Sequence, residues 1–469
     1  MASFLVEPRG NELLLKTREG LIDVTSGLGP VFVAIGGTEH LNERLFPYLS
    51  SKELCILSTT SRALWTLITA DEALWREIAL LECSDDELDS RLREFVNWKS
   101  VAVGRPCNLK EKLRFGRLFS DAILRPLHCA SIEFESYWLD RENVARECFN
   151  SLSVEDFIKK YEESRIPVVI SGVEHIFKRG IERWSKGLLL GMNSLGNDRR
   201  FKAGPRLISS LSFAEYTQHM AHLDESPLYI FDPRFAETFS VLREDYEIPK
   251  YFKGKDRDLL ELLGPESRPD FRWIIAGAPK SGSKWHVDPN CTHAWNASLK
   301  GKKKWVMLPP WGPPPPGVFP SADGGSVAQP VSLIEWFLEF YKEARKHRER
   351  ELIEFVADVG DLVFVPSGWW HAVLNLEESF AVTQNYISKS NLARAIRFFE
   401  QKPDQISGLR RVTGDRKSKF AEEFKAVIAE DLFSMIKNEE NQPVKSWSSL
   451  VRKPDAKGEI KPFTFAFNL

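Results

Sequence analysis

One tripeptide, His286-Val-Asp288, restricts this chain more than any other stretch. It lies in the run Phe271–Trp305, FRWIIAGAPKSGSKWHVDPNCTHAWNASLKGKKKW. In a strand, side chains at i and i+2 leave the same face. His286 and Asp288 therefore point the same way, into one cavity. A second histidine follows in Val365-Pro-Ser-Gly-Trp-Trp-His371. A fold that uses all three must bring side chains that are far apart in the chain to one point.

H-x-D alone is a weak signal, because most such tripeptides are ordinary surface or core residues. With His371 the pattern gains meaning. Two imidazoles and one carboxylate on one face of an octahedral metal leave three positions open, as in the ligand set of non-haem Fe(II) oxygenases.

Further segments accompany these residues in order: SPLYIFD (226–232), FRW (271–273), G-x-P-x-SG-x-x-x-H-x-DP (277–289), AWN (294–296), G-x-K (301–303), VPSGWWHAVLNL (365–376) and TQN (383–385). Together they resemble the JmjC family of 2-oxoglutarate oxygenases. The nearest branch is that of the Jumonji lysyl hydroxylase once described as a phosphatidylserine receptor. The resemblance implies a mainly β catalytic domain, a cupin-type double-stranded β-helix or jelly roll with flanking helices. It implies Fe(II) and 2-oxoglutarate as cofactors, with His286, Asp288 and His371 as metal ligands. The far carboxylate of the diacid needs charge-assisted hydrogen bonds in a partly dry pocket. By resemblance the donors are Lys303, Thr383 and Tyr229, with Asn296 and Asn385 assisting. Period-two reasoning does not choose among Lys302, Lys303 and Lys304; the family's G-x-K spacing selects Lys303. Thr383 and Asn385 share a strand face. Trp370 is expected to pack under the ligand and keep the metal surroundings dry.

Upstream, residues 38–82 show helical spacing of apolar residues, with a capping box at Ser50-x-x-Glu53. The order LNERLFPYLSSKELCILSTTSRALWTLITADEALWREI resembles an F-box, with the leading Leu-Pro loosened to Leu45-Phe46-Pro47. That resemblance implies a small all-α domain and a Skp-type adaptor of an SCF ubiquitin ligase as partner. The expected organisation is a lead-in at 1–37, the F-box-like domain at 38–82, a linker at 83–130, the catalytic domain at 131–390 and a helical extension at 391–469. Proline and glycine density marks 309–350 as an insertion ending in a capped helix, Ser332-x-x-Glu335, with a basic tail. VFVAIGG (31–37) reads as a short strand or buried lead-in, and Phe463, Phe465 and Phe467 alternate as in a covering strand. His219 and His222 could share a helix face, but no partner Cys or Asp accompanies them, so packing is the expected role.

The net charge of −2 favours neither nucleic acid nor an anionic membrane. No apolar run approaches the roughly 18 residues of a membrane span. The six cysteines form no C-x-x-C pair and fit a reducing, nuclear or cytoplasmic setting. The expected activity is Fe(II)- and 2-oxoglutarate-dependent oxidation of a protein substrate, foremost lysyl hydroxylation. Asp288 leans that way by resemblance, since the family's histone demethylases mostly carry Glu there. N-methyl-lysine or -arginine demethylation is the alternative reaction, and a non-catalytic SCF substrate receptor the alternative class.

Overall fold

The computed structural model describes residues 41, 45–107, 121–188, 191, 200–203, 209–245, 247–409 and 416–428. The expected elements at 31–37 and at Phe463, Phe465 and Phe467 lie outside them. No helix among the described residues is long and apolar enough to cross a membrane.

The strands are β1 (Ala145–Cys148), β2 (Val168–Ser171), β3 (Arg200–Ala203), β4 (Ser209–Ser212), β5 (Tyr229–Asp232), β6 (Arg272–Gly277), β7 (Gly282–His286), β8 (His293–Lys300), β9 (Lys303–Leu308), β10 (Phe319–Pro320), β11 (Val327–Ala328), β12 (Ile353–Ala357), β13 (Asp361–Val365), β14 (Trp370–Asn375) and β15 (Ser379–Tyr386). One sheet runs β1-β2-β13-β8-β15-β6-β5-β3-β4, and a second runs β12-β9-β14-β7. From β6 to β9 and from β12 to β15 the chain passes from one sheet to the other at each connection. This alternation winds a jelly roll, so the strand-rich core has the expected cupin-type form.

Period-two alternation sorts the side chains into three layers. Ala294, Trp305, Met307, Phe355, Val363 and Val373 fill the space between the sheets. Trp285, Val306, Leu308, Trp370 and Leu374 leave the other face of the small sheet and pack on Trp336, Phe337 and Tyr341. Trp295, Leu299, Phe364 and Val382 form the outer face of the large sheet. Both faces of the central strands are thus covered, which is why β9, β13, β14 and β15 are buried along their whole length.

Among the described residues, six α-helices precede β1: α1 (Ser51–Ser58), α2 (Arg62–Ala70), α3 (Glu72–Glu82), α4 (Asp85–Glu94), α5 (Trp98–Val103) and α6 (Asp121–Ser131). Side chains of Ser50, Ser61, Asp71, Ser84 and Asn97 cap the first five, with full capping boxes at Ser50/Glu53 and Ser84/Glu87. Leu54, Leu64, Leu67, Ile68, Trp75 and Ile78 are buried, in one core with the outer face of the large sheet. In the insertion, Ser332 caps the helix Leu333–Glu339, but its box is only half formed. Glu335 turns instead to the Val331 N–H at 2.8 Å and to Arg125 at 3.0 Å. The basic tail is engaged within the chain: Arg345 pairs with the distant Asp140 at 2.8 Å and Arg348 with Glu351 nearby.

Candidate metal centre and cosubstrate cavity

β7 and β14 pair antiparallel, with His286 directly opposite His371. Their rings lie 4.1 Å apart between centroids. The approach depends on Gly282, at φ +145°, where a Cβ would stand 2.0 Å from the Val373 carbonyl oxygen. Asp288 follows the end of β7, just before a turn in which Asn290 and Cys291 adopt left-handed φ of 59° and 52°. Such backbone holds only if the surroundings enforce it. Here the Asn290 amide exchanges two hydrogen bonds with the Ser407 backbone, each at 3.0 Å.

The result is one cluster. A ligand atom from each of His286, Asp288 and His371 lies within 4.8 Å of the others, and no other such group occurs among the described residues. His286 Nδ1 meets the Lys284 carbonyl at 2.7 Å, and His371 Nδ1 meets the Trp369 carbonyl at 3.1 Å. A carbonyl only accepts, so each Nδ1 carries a proton and each Nε2 is the ring nitrogen left to face the cluster. His371 Nε2 is 4.0 Å from Asp288 Oδ2, which is buried and has no hydrogen-bond partner. Burial and the neighbouring His286 hold His371 well below the usual histidine range, hence neutral. Burial pushes the Asp288 carboxyl up, against the opposing pull of His286 and a hydrogen bond from Asn385. Two imidazoles whose Nδ1 atoms are engaged elsewhere and an orphaned carboxylate oxygen fit a divalent cation, which would satisfy all three at once.

The cluster opens into a cavity of about 530 Å³ that also receives Asn296, Lys303, Thr383 and Asn385. Tertiary structure separates the three lysines. Lys302 is half exposed and lies 3.5 Å from Asp358. Lys304 points to the opposite face and is fully buried, 3.1 Å from Glu354. Lys303 is 2% exposed and donates to Asn375 Oδ1 at 3.0 Å. No carboxylate pairs with it among the described residues, and burial lowers its ammonium to about 7. A buried cation without an anion is the complement of the far carboxylate of 2-oxoglutarate.

The remaining residues divide. Thr383 faces Asn296 across β15 and β8, and the Asn296 Oδ1 is unpaired. The Thr383 hydroxyl donates to the Trp295 carbonyl at 2.8 Å, so its single proton must turn to serve a carboxylate. Asn385 donates to Thr292 Oγ1 at 2.9 Å and also reaches Asp288, which places it at the metal end. Tyr229 does not line this cavity. Its hydroxyl bonds Ser283, and the ring faces an adjoining space that shares the Ser283 wall. Trp370 corrects the expectation placed on it: as the neighbour of His371 in a strand it faces the outer core. Trp305 holds the inner position, nearly parallel to the His371 ring at 18° and 6.0 Å.

Sequence reasoning passed over Asn375. It lies opposite Lys303 across β14 and β9, is fully buried, and donates to Ser281 Oγ at 2.9 Å. A signal for it existed, since His371, Val373 and Asn375 share a strand face. Replacing Asn375 with leucine removes the acceptor that orients Lys303. The apparent KM for 2-oxoglutarate should rise by about tenfold or more, measured by succinate formation, the range expected when a ligand's supporting partner is lost. A KM within twofold of the parent would dismiss this role.

His219 is buried in the helix Phe213–Ala221, and its Nε2 meets the Leu92 carbonyl at 2.8 Å, as a packing residue does.

A family profile described as "JmjC domain, hydroxylase" matches residues 273–386. The chain is 38% identical over 436 residues to the arginine-specific demethylase JMJ22 of Arabidopsis thaliana, covering 91% of this chain and 80% of that protein. It is 37% identical over 267 residues to the bifunctional arginine demethylase and lysyl-hydroxylase psr-1 of Caenorhabditis elegans, covering 54% of this chain and 63% of that one. It is 28% identical over 188 residues to the human 2-oxoglutarate and iron-dependent oxygenase JMJD4, covering 40% and 43%. The similarity to the Arabidopsis protein extends across both the helical and the strand-rich parts, and the conclusion is that this chain belongs to the JmjC family of 2-oxoglutarate- and Fe(II)-dependent dioxygenases.

Proposed function

We propose that the chain hydroxylates a carbon of a lysine or arginine side chain in a protein substrate, with lysyl hydroxylation first. The observation that carries the reading is the juxtaposition of the His286–Asp288–His371 cluster with the unpaired Lys303 ammonium in one cavity. When bound, Fe(II) with 2-oxoglutarate supplies oxidation of an unactivated C–H bond by dioxygen. His286, Asp288 and His371 would hold the metal and leave one side of it open to the cavity. Lys303, oriented by Asn375, would bind the distal carboxylate, with Thr383 and Asn296 beside it. Trp305 shields the imidazole of His371 from water. Phe231 and Trp273 stack at 5.4 Å in the cavity wall, an aromatic surface for the stem of a long side chain, and Asp270 beside them lies 3.6 Å from Arg234.

Demethylation is the second reading, favoured by the names of the Arabidopsis and nematode relatives. The two reactions share an oxidant and differ in the target carbon. An alcohol on an N-methyl group collapses and releases formaldehyde; one on the side-chain carbon stays. Peptides bearing lysine, arginine and their N-methyl forms, incubated with the full chain, Fe(II) and 2-oxoglutarate, separate them by mass. A retained oxygen supports hydroxylation, and loss of a methyl with formaldehyde supports demethylation. No mass change on any peptide would sink both.

The same proposal gives the N-terminal helices an adaptor-docking role. Tyr48, Ile56 and Leu81 are 83%, 60% and 75% exposed. The Ser51 N–H donates to Glu82 at 2.8 Å, which brings the start of α1 to the end of α3. Exposed apolar side chains on elements that meet in this way are suited to a partner. Co-purification of a Skp-type adaptor with the parent chain, lost in Ile56→Glu, is the expected result; no adaptor with either chain would refute it.

A further inference from the structure

A second cavity, of about 550 Å³, adjoins the first, and Phe231, Gly282, Ser283 and His286 line both. Its wall includes every residue from Lys280 to His286. Consecutive strand residues face opposite ways, so a space that touches all of them runs along the strand's edge rather than over its face. β7 is an edge strand, with β14 on one side only. Across the groove stand Arg76 and Leu80 of α3, the lead into β5, and Val331 of the insertion. Gln329 closes one end, donating to the Trp285 carbonyl at 2.9 Å.

The charge lining this groove is net positive: Arg76, Lys280 and Lys284 face it, with Glu77 among them. Among the described residues no carboxylate lies within ion-pair distance of Lys284; Arg76 adds to the positive field around it, and Glu77, Glu335 and Glu225 offset that field from further away. Lys280 holds a left-handed φ of 71° and spends its ammonium on the Ala130 carbonyl, which ties α6 to the groove. α3 therefore builds part of a wall that leads to the metal cluster.

We propose that this groove seats the substrate polypeptide, extended along the open edge of β7, with an acidic residue flanking the target lysine or arginine. The proposal rests on the protein-hydroxylase reading above and adds the substrate class. An edge strand offers main-chain groups to an extended chain, and the cationic wall selects what flanks the target. A groove that opens into the oxidising centre serves a substrate of that centre. Three cationic side chains, one of them held by the Ala130 carbonyl, are few for a phosphate backbone, which disfavours RNA as the occupant.

The test reads binding by fluorescence anisotropy on the full chain, without turnover. The probes are short labelled peptides with one central lysine flanked by glutamates, alanines or lysines, and a labelled oligouridylate. The glutamate-flanked peptide should bind tightest. Arg76→Glu should weaken it about tenfold, equivalent to about 1.4 kcal/mol, and should strengthen the lysine-flanked peptide. Arg76→Gln should fall between. The gain for the lysine-flanked peptide cannot come from misfolding. An unchanged order of peptides in Arg76→Glu, or tighter binding of oligouridylate than of any peptide, would overturn the proposal. A peptide that binds as expected and is never oxidised refutes the function instead, while one that is oxidised with no response to Arg76 refutes the groove.

Discussion

Replacing His371 with alanine lowers succinate formation at least about 100-fold and removes tight Fe(II) binding, with little change in the fold. Loss of a residue that merely supports a metal ligand costs about 10–100-fold, so loss of a ligand itself sets that range as its floor. The fold should survive because the imidazole borders a cavity rather than filling the core. Its backbone pairs in β14 with β7 and β9 on both sides, and those contacts do not depend on the side chain. Manganese(II) binding followed by electron paramagnetic resonance gives a readout apart from turnover. Parent-like manganese affinity in His371→Ala would mean that the three-residue cluster is not the metal site.

Lys303→Met is expected to move activity and stability in opposite directions. The ammonium is buried, and burial alone lowers it from 10.5 to about 7. The unfolded chain therefore binds more protons than the folded chain between about pH 7 and 10.5. Stability contributed at this site rises with pH across that window, and the charged form burdens the fold below it. Methionine fits a similar volume without charge, so the variant should melt higher than the parent at pH 6 and should lack that part of the pH slope. The KM for 2-oxoglutarate should rise about 100-fold or more, as when one partner of a buried charge pair is removed. In the parent, affinity for the diacid should fall as pH rises above about 7, because the neutral amine no longer offsets the carboxylate. A variant that melts lower and binds 2-oxoglutarate normally would assign Lys303 a structural role.

Much of the site is readable from spacing. H-x-D marks two of the ligands, although only His286 lies in a strand and Asp288 follows its end, and the period-two rule links Thr383 with Asn385. Applied one step further it would also have found Asn375, two strand steps beyond His371, and would have turned Trp370 away from the cavity. Those omissions came from treating sequence neighbours as spatial neighbours, whereas a pleated strand sends adjacent side chains to opposite faces. Glu335 shows a different limit. Its position after Ser332 is that of a capping box, yet a long-range partner, Arg125, competes for the carboxylate.

The sequence by itself determined the ligand types, the faces they share within each strand, the helical character of the N-terminal segment and the family resemblance, because all of these rest on local periodicity or on short motifs. The family's G-x-K spacing selected Lys303 and the tertiary structure gave the physical reason; only the tertiary structure decided that Tyr229 stands behind Ser283 and that α3 walls a groove reaching the metal cluster. Those outcomes depend on pairing register between strands distant in the chain and on which face of each sheet is covered, and no local pattern encodes either.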